Sequence, residues 1–67
     1  MLKELITEDD DVIIELLQIY TDGLTTSQII KQTNYTKYKV LAILNKLNGA
    51  NLVTSMIVGK AFLHKIK

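Results

Sequence analysis

Sixty-seven residues, 48% of them hydrophobic and none of them cysteine, suffice for one small packed domain and exclude a disulfide framework, a thiolate zinc site and a disordered chain. No apolar run approaches the ~20 residues that cross a bilayer, and residues 1–11 turn acidic instead of basic-then-apolar, so neither a membrane contact nor a secretory signal is expected and the chain reads as intracellular. The net charge of +1 conceals an asymmetry: residues 1–30 hold every acidic side chain and a single lysine, whereas residues 31–67 hold Lys31, Lys37, Lys39, Lys46, Lys60, Lys65 and Lys67 with no acid. Such a division points to a half that faces a polyanion and a half that avoids one.

In chain order, a first helix is predicted over 7–22. Thr7 caps it with Asp10 three residues on, Glu8, Asp9 and Asp10 suit the positive end of its dipole, and Val12, Ile13, Leu16, Leu17 and Tyr20 recur at helical spacing. Asp22-Gly23 ends it, with Gly23 able to take a left-handed conformation. Consecutive residues on a helix point about 100° apart, so the run Asp9-Asp10-Asp11 cannot converge on one cation and reads as solvated charge. Residues 1–6 fit a short strand, an added helical turn or a dimer contact. A second helix is predicted over 25–33 with Thr25 at its cap, Gln28 completing a capping box, and Leu24 and Ile29 forming a hydrophobic staple. Asn34 suits a left-handed turn position. A third helix follows over 36–48, capped by Thr36, with Val40, Ile43, Leu44 and Leu47 on its core face and Asn48-Gly49 as its stop signal. After Gly49 the period shortens. The β-branched run from Leu52 to Val58, the turn Gly59-Lys60 and the return Ala61–Ile66 read as a hairpin over 52–66. Phe62 and Leu63 alternate across the return strand, so one is core and the other exposed.

Three helices joined by short turns and followed by a two-stranded hairpin make an α+β domain over 1–67. The segments Leu24–Lys31, Asn34–Val40, Leu44-x-x-Leu47 and Gly49-x-x-Leu52-Val53 resemble the winged helix-turn-helix pattern shared by MarR-like, IclR-like and TrmB-like regulators. The match spans roughly residues 12–66. It departs from the pattern at Ile30, where a small residue is usual, and in having no arginine at the wing or on the third helix. A narrower similarity to Zα domains, which bind left-handed duplexes, keeps Lys37 at a contact position. It has Leu41 and Asn45 where that family carries asparagine and tyrosine, and it lacks the paired prolines and tryptophan of that wing.

The winged-helix resemblance implies a sequence-specific regulator of transcription that binds double-stranded DNA, with the third helix in the major groove and the hairpin on the backbone. By the phase of the core residues, Lys37, Tyr38, Leu41, Ala42, Asn45 and Lys46 face outward, with Lys39 at the rim. The lysines suit phosphates or guanine, Tyr38 and Asn45 offer hydrogen bonds, and Leu41 and Ala42 offer contact with thymine methyl groups. Leu41 fits a packed position equally well. Lys60 at the hairpin tip, Lys65 on the return strand and Lys31 near the second helix suit phosphate contact. A homodimer through helix one or the N-terminal segment is expected. The other readings are a winged helix that binds proteins and a Zα-like binder. No metal or cofactor is expected: His64 has no second histidine or cysteine to complete a site and reads as a surface residue. The basic half has neither a cysteine nucleophile nor a close carboxylate pair, so an enzyme is not expected.

Overall fold

In the computed structural model, which describes residues 8–67, the order is α1 (Glu8–Ile19), β1 (Leu24–Thr25), α2 (Thr26–Thr33), α3 (Lys37–Gly49), β2 (Val53–Val58) and β3 (Ala61–Ile66). The expected cap at Thr7 and the segment before it lie outside the described residues. α1 opens on Glu8, Asp9, Asp10 and Asp11, four carboxylates at the positive end of the helix dipole. It stops at Ile19, three residues before the predicted end, and the chain then turns through Gly23 at φ +99°.

α2 begins as its sequence dictates. Thr25 holds an extended backbone, its hydroxyl accepts from the Gln28 amide at 3.2 Å, and the Thr25 amide donates to Gln28 Oε1 at 2.9 Å. Asn34 ends the helix at φ +61°, its amide donating to the Ile30 carbonyl. Thr36 caps α3 by accepting from the Lys39 amide at 3.2 Å. The expected stop at Asn48-Gly49 falls short. The helix runs through Gly49, and Asn51 takes the left-handed position at φ +63°. The Leu52 amide then donates to Leu47 and the Asn51 amide to Asn48, each at 3.0 Å, the paired bonds of a Schellman end with asparagine in place of glycine.

Among the described residues the sheet has three strands, where a two-stranded hairpin is predicted. Its order is β1-β3-β2 and all pairs are antiparallel, with Leu24 opposite His64 and Thr25 opposite Leu63. The strand that sequence misses consists of the two residues read as staple and cap. Both are used twice, since Leu24 is also buried beneath α2 as the staple requires. Ile13 and Leu17 from α1, Ile29 from α2, Val40, Ile43, Leu44 and Leu47 from α3, and Val53 from β2 join Leu24 in one core. Each such side chain stabilises the fold by about 1.5–3 kcal/mol relative to exposure.

His64 corrects the surface reading. It is 5% exposed, and its ring is gripped from both sides, with Nε2 2.8 Å from Thr26 Oγ1 and Nδ1 2.7 Å from Ser55 Oγ. It thereby joins α2, β2 and β3. Burial, which disfavours the cation, pushes its pKa below the ordinary 6.5. Among the described residues no helix is long and apolar enough to cross a membrane.

Candidate functional site

An open cleft of about 500 Å³ separates the start of α2, the first turns of α3 and the hairpin tip. Thr25, Thr26 and Ser27 form one wall, Lys37 and Leu41 a second, and Lys60 and Phe62 a third. It continues inward as a smaller recess of about 170 Å³ beside Asn45, Asn48, Ser55 and His64. Among the described residues no acidic side chain lines either space. Lys37 and Lys60 therefore face each other across hydroxyl groups with no carboxylate between them. The N-terminal amides of α2 add the positive end of its dipole to the same wall.

The geometry of α3 decides which predicted site residues reach this cleft. Residues at about 100° per position around the axis divide into three faces. Val40, Leu44 and Leu47 point into the core. Lys37, Leu41 and Asn48 turn toward the hairpin, while Tyr38, Ala42 and Asn45 look outward, with Tyr38 84% exposed. Lys39 and Lys46, seven residues apart, turn the other way, toward α1. Lys39 Nζ lies 2.8 Å from Asp9 Oδ2 and Lys46 Nζ lies 2.6 Å from Asp10 Oδ2. Thus Lys37, Leu41 and Lys60 line one cleft, Leu41 and Asn45 line the recess beside it, and Tyr38 and Ala42 flank them. Leu41 is half-buried, so it both packs and lines the cleft. Lys31 is exposed one turn along α2 from Ser27. Lys65 alternates with His64 along β3, so it lies on the opposite face of the sheet, its stem close over Gly23.

Of the aspartates of α1, Asp11 is exposed as the sequence suggests, but Asp9 and Asp10 are not solvated charge. Asp10 is 1% exposed. Asp9 accepts from Tyr35 Oη at 2.9 Å, and Lys39 Nζ, besides pairing with Asp9, sits 4.3 Å from the centre of the Tyr35 ring. The hydrogen bond from Lys39, then that from Tyr35, holds the Asp9 carboxyl below its ordinary range. The same bonds raise the pKa values of Lys39 and Tyr35. The signal for Asp10 was present in the sequence: Asp10, Ile13 and Leu17 stand at i, i+3 and i+7 and share one buried face. Alternation along β3 leaves Phe62 either core or exposed; it is exposed and lines the cleft.

Chemically, the cleft offers ammonium groups, hydroxyls, an amide and apolar contact. His64 and Ser55 stand within hydrogen-bond distance, but the other ring nitrogen meets the Thr26 hydroxyl instead of a carboxylate. Among the described residues no three histidine, aspartate or glutamate side chains gather as a metal site would require. Comparison with known proteins finds no matching family model, no matching curated protein and no matching solved structure.

Proposed function

We propose that this domain is a winged helix-turn-helix that binds double-stranded DNA as a sequence-specific regulator, α3 entering the major groove and the hairpin tip following the backbone. The observation that carries the reading is the acid-free cleft between Lys37 on α3 and Lys60 on the hairpin, set on the flank of α3 away from the α1 carboxylates. A duplex approaching this face meets lysines, hydroxyls and helix amides, all of which suit phosphate. Tyr38, Ala42 and Asn45 stand on the outward face of α3, where base edges would lie.

The ion pairs of Lys39 and Lys46 lower the expected electrostatic contribution. With these two held by aspartates, at most five lysines of the basic half remain for phosphate, and of these Lys65 lies on the opposite face of the sheet from the cleft. At a slope of about −0.9 per neutralised phosphate, log affinity against log salt should fall no more steeply than about −4.5. Fluorescence anisotropy with random and selected duplexes, from low to moderate salt, tests this. Absence of binding at low salt refutes the reading. One observation favours a second reading, docking of a protein on the hairpin: Ile57 is 71%, Phe62 55% and Met56 48% exposed, more apolar surface than a phosphate-tracking element needs.

A further inference from the structure

Among the described residues β2 is an edge strand, with β3 on one side of it and no strand on the other. Exposed edges of soluble proteins are ordinarily blunted by charge, proline, a bulge or shortness. This one has none of these. Val53-Thr54-Ser55-Met56-Ile57-Val58 is uncharged, contains no proline or glycine, and pairs with β3 through six consecutive residues without a bulge. We infer that β2 pairs with β2 of a second copy of this chain, antiparallel and about a two-fold axis at Ser55, giving a continuous six-stranded sheet.

The register follows from the backbone. In a two-residue hairpin the pair that closes the turn, here Val58 and Ala61, exchanges hydrogen bonds. Alternate residues then do likewise, so Val58, Met56 and Thr54 bond to β3. The Lys67 amide donating to the Leu52 carbonyl at 3.1 Å continues the same alternation. Val53, Ser55 and Ile57 therefore direct their N–H and C=O groups to the open edge. Antiparallel self-pairing uses all three only when Ser55 opposes the partner's Ser55, Val53 opposes the partner's Ile57, and Ile57 opposes the partner's Val53.

That register is derived without reference to side chains. It sets Ile57, 71% exposed, beside the edge backbone at the partner's Val53, whose own side chain is already buried in its core. Val58 and Leu52, 53% and 40% exposed, oppose each other across the pair. No charged side chain stands on the strand, so no like charges meet. A single pair of six-residue strands buries less than the ~1,200 Å² of a standard interface, so the dimer is weak and concentration-dependent. This inference does not rest on the DNA reading, because strand pairing occurs in the plane of the sheet and the lysine-lined cleft lies above it.

The test is sedimentation equilibrium of the 67-residue chain from low micromolar to millimolar concentration, alongside a chemically synthesised chain N-methylated at Ile57. The methyl group removes one edge donor and no bond within the fold, and circular dichroism checks that the fold is unchanged. The unmodified chain should pass from monomer to dimer, and N-methylation should raise the dimer dissociation constant at least tenfold. Ile57→Lys should act in the same direction. In mixed isotope-labelled samples, contacts between copies should join Val53 to Ile57. A chain monomeric throughout overturns the inference and leaves the edge to a strand of another protein. A dimer indifferent to N-methylation also overturns it and places the interface elsewhere, with α1 or the N-terminal segment the next candidates.

Discussion

Replacing Lys46 by Met separates two roles for this residue, phosphate contact and support of the fold. The substitution keeps the length of the stem and removes the ammonium group that lies 2.6 Å from Asp10. Exposed ion pairs are worth about 0.2–1 kcal/mol, whereas breaking a buried one costs about 3–5 kcal/mol because a charge is stranded. This pair is mixed: the Asp10 side chain is 2% exposed and that of Lys46 38%. Water reaches the ammonium but not the carboxylate, so removing Lys46 takes away one of the interactions that offset the burial of Asp10. We expect a loss of about 2 kcal/mol, which is about 30-fold in the folding constant. For a domain of this size that lowers the melting temperature by about 8–16 °C, and it is a large share of the stability of so short a chain. Thermal and urea unfolding followed by circular dichroism measure it. Combining the change with Asp10→Asn should cost less than the sum of the two single changes, a coupling of about 1–2 kcal/mol. A Lys46→Met protein within about 0.5 kcal/mol of the parent, with a salt slope for DNA shallower by about one, would refute the reasoning. In that case the ammonium leaves Asp10 and reaches phosphate.

His64 should make stability fall as pH drops. Burial holds its pKa below the ordinary 6.5, so below that pH the unfolded chain binds a proton the fold resists, at a cost of up to about 1.4 kcal/mol per pH unit until the folded pKa is reached. Asp9, held below 3.8, loses its stabilising contribution only in more acid solution, so unfolding of the parent and His64→Gln between about pH 5 and 7 isolates the histidine; a slope that survives the substitution contradicts the assignment. Gly23→Ala should destabilise by about 1–3 kcal/mol, because at φ +99° its Cβ would come within 2.7 Å of Lys65 Cγ and 3.0 Å of the His64 carbonyl oxygen; denaturant melts give the value. Within the DNA reading, Lys60→Ala should weaken specific and random duplexes alike, whereas Asn45→Ala or Tyr38→Ala should cut the specific-to-random ratio by about 1–3 kcal/mol, as read by paired titrations.

Much of the fold was legible because its signals are local. The capping box at Thr25 and Gln28, the left-handed Asn34, the cap at Thr36 and the turn at Gly59-Lys60 each depend on residues within a few positions of one another. What was not legible depends on pairs distant in sequence. A two-residue strand has no periodicity to detect, and Leu24–Thr25 becomes β1 only because β3 comes alongside it. The burial of His64 requires Thr26 and Ser55, 38 and 9 residues away. Gly49 looked like a helix stop on residue type, but Asn51 takes that position and allows the Leu52 amide to reach Leu47. At the candidate site, phase alone placed Lys37, Tyr38, Leu41, Ala42 and Asn45 on the outer and cleft faces. It also put Lys46 outward and Lys39 at the rim, because the acidic face of α1 that attracts both was assigned to solvent.

The two aspartate–lysine pairs bear on recognition through the rotation of α3 about its own axis. A helix read by DNA discriminates bases only if the same side chains face out in every molecule, and a rotation by one residue, about 100°, would exchange Leu41 and Asn45 for other positions. Packing of Val40, Leu44 and Leu47 fixes one side of α3. Lys39 and Lys46, two turns apart and both drawn to α1, fix the adjacent side at two heights. Removing the charge of Asp10 should therefore loosen the reader without removing a contact to DNA. Under the proposed function, Asp10→Asn is expected to lower the ratio of specific to random affinity while leaving the salt slope within about one unit of the parent, because freeing Lys46 adds at most one phosphate contact. Titration of both duplexes at several salt concentrations, at a temperature where the variant is fully folded, separates these effects. An unchanged ratio would mean that core packing alone sets the register of α3, and that the ion pairs contribute to stability and not to reading.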